Sequence, residues 1–108
     1  MYKDATIVGP YRYSLTREWD ASKPRVVFIM LNPSTADDDQ DDNSVKRCIG
    51  FAKKWGFGSL EVVNLFAYRT PNPEKLSQVE DPVGMENREH IGCACKLERL
   101  ESGWKCDA

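Results

Sequence analysis

Four polar residues stand where two apolar segments of the chain end. Asn32 and Ser34 follow the run VVFIML, whereas Asn64 lies inside the run LEVVNLF and Arg69 follows it. An amide offers both donors and acceptors that suit the edge of a nucleobase, and a guanidinium suits phosphate or carboxylate. The four residues therefore predict a polar ligand pocket. An equally weighted structural alternative has Asn32 and Ser34 building a turn and Asn64 holding a neighbouring loop.

The elements around these residues predict that they converge. Both apolar runs are typical of strands buried on both faces of a sheet, 25–31 and 60–66, and Pro33 ends the first. Between them, apolar residues at spacings of three and four predict a helix from Ser44 to Trp55, which Asp42, Asn43 or Ser44 can cap and Gly56 ends. Strand, helix and strand make a parallel pair whose carboxyl ends share one edge, where open α/β sheets bind ligands.

The remaining elements complete a small α/β domain. Alternating residues in YRYSLTR predict a half-buried strand over 11–17, expected to be antiparallel to the others. A short helix is predicted to start at Pro73 and run through Leu76, and a longer one from Asn87 to Glu101. We predict a single domain over 1–108, a three-layer βαβ arrangement with a parallel sheet core plus an N-terminal strand.

The bulk properties limit the classes of protein. With 108 residues, 41% of them hydrophobic, and a net charge of −2, the chain is expected to be one soluble domain without a generally basic, nucleic-acid-coating surface. No apolar run approaches the roughly 20 residues of a membrane span, and the start MYKDATIVGP lacks the layout of a signal peptide. We therefore expect a cytoplasmic protein with its four cysteines as thiols and no membrane partner.

The acidic stretch DDDQDD raises the question of a metal site. Asp37, Asp39 and Asp41 have the alternate spacing of a calcium loop, but Asp42 and Cys48 stand where an EF-hand needs glycine and glutamate. A weak magnesium site on these aspartates stays open, and a solvated loop that favours the helix start is preferred. No other cofactor is predicted.

A zinc site and the common catalytic motifs are disfavoured. The candidate zinc ligands are irregularly spaced, with one residue between the first two cysteines, which favours thiols packed on a helix. They are His90, Cys93, Cys95 and Cys106. No phosphate-binding glycine loop precedes a helix, and His90 is the one histidine of the chain, so no nucleophilic triad is visible.

Several motifs together resemble the bacterial and phage family called domain of unknown function 1643. They are MLNPSTAD, RCIGFAKKWG, VNLFAYR with a following NP, and DPVG with a following EN. The resemblance covers about residues 11–91, and the stretch 92–108 is atypical of it. Relatives are expected to continue into a further strand, so a truncated chain with an open sheet edge, through which copies associate, is predicted.

A more distant resemblance concerns the site. MLNPS and VVNLFAYRTPN are similar to strand-end motifs of uracil-DNA glycosylase-like proteins. This resemblance implies that Asn32 positions a water molecule and that Pro33 and Ser34 form the pocket loop, with Arg69 near the backbone. Thr35, which follows them, is also predicted to bind the ligand. The chain departs from that pattern, because Ser34 replaces a glycine and the C-terminal catalytic histidine motif is absent.

Two functions are consistent with these observations. The first is a nucleobase- or nucleotide-binding domain, extending to an N-glycosidic hydrolase, that acts on a small molecule or a nucleic-acid base through Asn32, Ser34, Asn64 and Arg69. The alternative is a non-catalytic accessory module of phage or mobile-element origin, or an inactive truncated fragment. Convergence of these side chains around a cleft would favour the first.

Overall fold

A mixed four-stranded sheet forms the centre of the computed structural model, which describes residues 1–95, 97–100 and 103–106. Its strand order is β1-β2-β4-β3, and β5 and β6 form a separate two-stranded sheet. The elements are β1 (Tyr2–Val8), β2 (Tyr11–Glu18), β3 (Arg25–Met30), α1 (Asn43–Lys54), β4 (Ser59–Asn64), a 3-10 helix (Pro73–Gln78), α2 (Asn87–Cys95), β5 (Leu97–Leu100) and β6 (Gly103–Cys106). The predicted α/β class is confirmed, and the three-layer arrangement stays a prediction.

The predicted parallel pair of strands is present as β3 and β4. β3 and β4 pair in parallel from Arg25 opposite Ser59 to Met30 opposite Asn64. Two further backbone bonds continue the pairing, from Leu65 N to Met30 O at 2.9 Å and from residue 66 to residue 31 at 3.0 Å. The carboxyl ends of both strands therefore lie at the same edge of the sheet, as the sequence predicts.

Helix α1 begins and ends as its capping residues predict. The Asp42 carboxylate accepts the Val45 N–H at 2.9 Å, which satisfies one of the free amides of the first turn. Gly56 has φ of 85°, a left-handed conformation that glycine adopts without strain, and it follows the helix as predicted. The buried face of α1 packs on Leu15, Leu60 and Val62 of the sheet; it consists of Val45, Cys48, Ile49 and Ala52.

The N-terminal hairpin is only partly predicted. β2 runs antiparallel to β4, as expected. The sequence did not predict β1, which pairs with β2, because residues 2–8 have few apolar side chains at alternate positions. The register between β1 and β2 shifts after Thr6. Thr6 pairs with Ser14, but the next residue, Ile7, pairs with Arg12, so Tyr13 has no partner in β1. This β-bulge turns Arg12 toward the same side as Leu15, where its guanidinium reaches Ala36 of the core cluster.

The predicted helix from Asn87 to Glu101 is wrong in its second half. α2 ends at Cys95, and residues 97–100 form β5, which pairs antiparallel with β6. Gly92 lowers helix propensity, and the apolar residues around it do not continue one helical stripe. The shorter predicted helix at Pro73 is a 3-10 helix that extends to Gln78. Among the described residues, no helix is long and apolar enough to cross a membrane.

The outer edge of β3 has no partner strand among the described elements. Ile29 is 51% exposed, and Leu31 is similarly exposed just beyond the strand. Directly after α1, the exposed Trp55 stacks on Phe28 of β3 and Phe51 of α1, with ring centroids 6.5 and 5.3 Å apart. The predicted open edge is thus flanked by apolar side chains, and association through it stays a prediction.

Candidate functional site

The loop after β3 holds the first group of predicted site residues. The Asn32 amide donates from Nδ2 to Thr70 O at 2.9 Å and to Pro33 O at 3.0 Å, and the Thr70 N–H donates to Pro33 O at 2.9 Å. Asn32 therefore ties the loop to the segment after β4, a structural role different from the turn given as the alternative above. Its two amide protons are used in these bonds, and no described residue donates to its Oδ1. That oxygen is left to accept a hydrogen bond from a ligand or from water.

Arg69 lies against the same loop. Its Nε donates to Ser34 O and its Nη2 to Thr35 O, both at 3.4 Å. These distances lie beyond the 2.7–3.2 Å expected of good N–H···O bonds, so the guanidinium is held loosely. The predicted residues Asn32, Pro33, Ser34, Thr35 and Arg69 are therefore neighbours in the fold.

Arg12 and Arg17 of β2 also hold the loop, and the sequence did not single out either of them. Arg12 is 2% exposed and donates from Nη1 to Ala36 O at 2.9 Å. Arg17 is fully buried, and its Nε lies 2.8 Å from Asp41 Oδ1. Alternation puts Arg12 on the polar face of the predicted strand, whereas Arg17 shares the face of Leu15, which is predicted to be buried. The informative sign was charge balance, since an acidic loop that crosses a sheet face needs cations beneath it.

Asn64 provides the most unusual feature of this edge of the sheet. It follows Leu60 and Val62 at alternate positions of β4, on the face that packs against α1 and Ala36. Its side chain is 1% exposed, and neither Nδ2 nor Oδ1 has a hydrogen-bond partner among the described residues. A buried amide without partners costs about 1–3 kcal/mol per unpaired group.

Two further unpaired atoms lie close to Asn64 in the fold. Asn87 of α2 donates from Nδ2 to the carbonyls of Asn64 and Leu65, at 2.8 and 3.1 Å, while its Oδ1 is buried and unpaired. The Nε of Arg12 is buried and unpaired as well, and the Arg12 backbone N–H bonds to Ala67 O at 2.9 Å. Four unpaired buried atoms are found among the described side chains. Each belongs to a residue that either lies in the segment 64–67 or forms a hydrogen bond to that segment. Native proteins leave few such atoms without a protein or water partner.

Charges of both signs surround Arg12, and the largest single charge effect comes from the Asp42 carboxylate. Burial is the main cause that lowers the pKa of Arg12 to about 10, and the neighbouring charges of Arg69 and Arg17 add to this. The Asp42 carboxylate, and more weakly Asp37, act in the opposite direction. Arg12 is nevertheless protonated at neutral pH, so the site carries a buried positive charge.

The aspartates of the loop differ in environment. Asp41 bonds to the buried Arg17 and lies 3.5 Å from Lys3 Nζ. Asp37 accepts the backbone N–H groups of residues 39 and 40, which lowers its pKa. Asp38 and Asp39 are exposed, as a solvated loop predicts. The loop is therefore solvated at its tip and bonded at both ends.

No cluster of three or more His, Cys, Asp or Glu side chains among the described residues is arranged to hold a metal ion. His90 stacks on Tyr13 with ring centroids 5.0 Å apart, and Cys95 is exposed. The side chain of Cys106, the fourth candidate zinc ligand, lies outside the described residues.

A cavity of about 570 Å³ lies at the amino ends of the parallel strands β3 and β4, at the end of the sheet opposite to the candidate site. Its lining includes Glu18, Lys23, Arg25 and Ser59. None of the four unpaired buried atoms belongs to that lining. Arg25 is moreover already paired with Glu61 at 3.3 Å. The carboxyl ends of β3 and β4 are therefore the better candidate site.

The fold and site define a small α/β domain with a mixed sheet and a polar edge. Residues 12–106 match the family described as Protein of unknown function (DUF1643), so the chain belongs to that family. The match includes every candidate site residue and extends beyond residue 91, where the resemblance was expected to end. No curated protein and no solved structure matches the chain significantly.

Proposed function

We propose that this chain binds a nucleobase or nucleotide at the carboxyl ends of β3 and β4. The observation that carries the proposal is the Asn64 side chain, which is buried while its donor and acceptor atoms lack partners among the described residues. A carboxamide presents a donor and an acceptor side by side in one plane, which complements the edge of a base. A ligand of this kind would remove the cost of the unpaired amide.

Access to Asn64 requires movement of the loop segment just before Ala36, residues 34 and 35. Asn64 is only 1% exposed, and Ala36 of the loop packs in the same cluster as Leu60 and Val62. The long bonds from Arg69 to the loop carbonyls hold the preceding part of the loop weakly. Displacing this part would uncover the amide, while Asn32, held to Thr70, keeps its Oδ1 at the rim.

The proposal is tested by thermal unfolding of the protein with the free bases, the nucleosides and the nucleoside 5′-monophosphates. A ligand at a hundred times its dissociation constant should stabilise the native state by about 2.7 kcal/mol. Asn64→Leu should abolish this stabilisation. It should also raise the free energy of unfolding of the free protein by about 1–3 kcal/mol, because an unpaired buried amide is replaced by an apolar side chain of similar size.

Two other variants sharpen the test. Asn32→Ala should weaken ligand-induced stabilisation by roughly 1–3 kcal/mol through loss of one polar contact and the loosening of the loop. Asn43→Ala is the matched control, since Asn43 is an exposed residue of α1 with no side-chain bond. If none of the compounds stabilises the protein, or if Asn64→Leu destabilises it while leaving ligand binding unchanged, the proposal fails.

N-glycosidic hydrolysis is the catalytic extension of this function. Asn32 Oδ1, to which no described residue donates, would accept a hydrogen bond from the attacking water. In that reaction the water oxygen forms a bond to C1′ of the sugar, the bond from C1′ to the base breaks, and the water proton ends on the base. Release of free base from nucleosides or uracil-containing single-stranded DNA would support it. Binding without release would favour the non-catalytic module.

A further inference from the structure

We propose that the ligand of this site carries a phosphate group that binds between the guanidinium groups of Arg12 and Arg69. This inference rests on the proposed function and names the ligand class more narrowly, as a nucleotide instead of a free base or nucleoside. Its starting point is the placement of the two arginines.

The backbone brings Arg12 and Arg69 together. The Arg12 N–H bonds to Ala67 O and the Arg69 N–H to Pro10 O, each at 2.9 Å, and Tyr11 and Tyr68 form an antiparallel bridge between them. The two guanidinium groups then reach three successive carbonyls of the same loop, those of residues 34, 35 and 36. Burial is the main cause that lowers the pKa of Arg12, and the positive charge of Arg69 adds to this effect.

Neither of these arginines has a carboxylate partner. In the described part of the chain, no Asp or Glu oxygen lies within 4.0 Å of either guanidinium, whereas Arg17 and Arg25 each have one. The two nearby carboxylates are engaged elsewhere: Asp42 caps α1, and Asp37 accepts two backbone N–H groups. Two adjacent cations without a directly paired carboxylate favour an anion, and guanidinium groups match phosphate oxygens in geometry.

The hydrogen bonds already present leave room for that anion. Only Ala36 O accepts from the Arg12 guanidinium among the described residues, and Arg12 Nε is buried without a partner. The two bonds of Arg69 are at 3.4 Å, so exchanging them for shorter charge-assisted bonds is favourable. The same exchange would release Ser34 and Thr35, and thereby couple phosphate binding to the loop movement that uncovers Asn64.

The test compares nucleosides, their 5′-monophosphates and inorganic phosphate by isothermal titration on the wild type and on Arg69→Gln. The monophosphate should bind about ten- to a hundredfold more tightly than the nucleoside, as expected for one or two hydrogen bonds to a charged group. Arg69→Gln should remove most of this difference in affinity between the monophosphate and the nucleoside. Arg88→Gln is the control, since Arg88 is exposed on α2 and has no ion pair.

Each outcome separates this inference from the function on which it rests. Equal affinity for nucleoside and monophosphate would overturn the phosphate site and leave nucleobase binding standing. Loss of affinity in Arg88→Gln equal to that in Arg69→Gln would also overturn it, because the effect would then be one of net charge. Binding of inorganic phosphate that Arg69→Gln abolishes, with no binding of nucleosides, would support the phosphate site and overturn the nucleobase proposal.

Discussion

Arg17 is the residue whose replacement should reveal most about what holds the acidic loop. Its Nε pairs with Asp41 at 2.8 Å, and the side chain is fully buried. The guanidinium also donates to four backbone carbonyls, those of Asp4, Thr16, Asp37 and Gln40. Arg17→Met keeps the apolar stem and removes every one of these bonds.

The expected cost follows from the loss of one partner of a buried ion pair, which is about 3–5 kcal/mol. The lower end applies, because the Asp41 side chain keeps 15% exposure and has Lys3 at 3.5 Å. A loss of about 3 kcal/mol is a large part of the 5–15 kcal/mol expected of a small domain. It corresponds to a fall of roughly 12–24 °C in Tm for a domain of about this size.

Urea unfolding followed by circular dichroism measures this loss, with Arg88→Met as the exposed control, expected to change the free energy of unfolding by less than about 0.5 kcal/mol. The double variant Arg17→Met with Asp41→Asn should lose less than the sum of the single losses, since no uncompensated carboxylate is left. A loss below about 1 kcal/mol in Arg17→Met, or strict additivity in the double variant, would refute the reasoning.

Three further predictions concern the surface and the pH response. Converting Asp38 and Asp39 to asparagine should change the free energy of unfolding by under about 1 kcal/mol, because both side chains lie at the solvated tip of the acidic loop. A large increase in Tm at micromolar magnesium that these substitutions abolish would contradict this prediction. Burial raises the pKa of Glu61 above 4.5, against the opposing charges of Arg25 and His90, so the folded state binds this proton more tightly than the unfolded state. The wild type should therefore lose stability relative to Glu61→Gln as the pH rises from about 4.5 toward 7, and a flat difference in unfolding free energy would show that the carboxyl is not perturbed. Ile29→Lys places a charge beside the open edge of β3 and should lower self-association in analytical ultracentrifugation, whereas a wild type that is monomeric at all concentrations would remove the premise.

The parts of the fold that could be predicted are those set by local sequence. Asp42 and Gly56 bound α1 because a side-chain cap and a left-handed residue act within a few positions of themselves. The parallel pair followed from two long apolar runs with a helix between them. By contrast, β1 gains its conformation from pairing with β2, which no local pattern of residues 2–8 encodes.

The candidate site was predicted in part for the same reason. Asn64 stood out because an amide inside an apolar run needs a partner, and the structure leaves it buried and unpaired. Arg12 could not be found in this way, since the bulge at Tyr13 decides toward which face it points. Asn87 was equally hidden, because its bonds to the end of β4 depend on where α2 packs.

The segment between β3 and α1 is held very differently in its two halves, and this has a mechanical consequence. The Ala36 carbonyl is fixed by Arg12, and the stretch beyond it is fixed by the fully buried Arg17. Within the described part of the chain, residues 34 and 35 are held by just the two long bonds from Arg69. Ala36 therefore acts as a hinge, and the flap before it can open at a small fraction of the global unfolding energy. A substitution at residue 34 or 35 can therefore change how easily this segment opens while leaving the overall stability of the fold nearly unchanged.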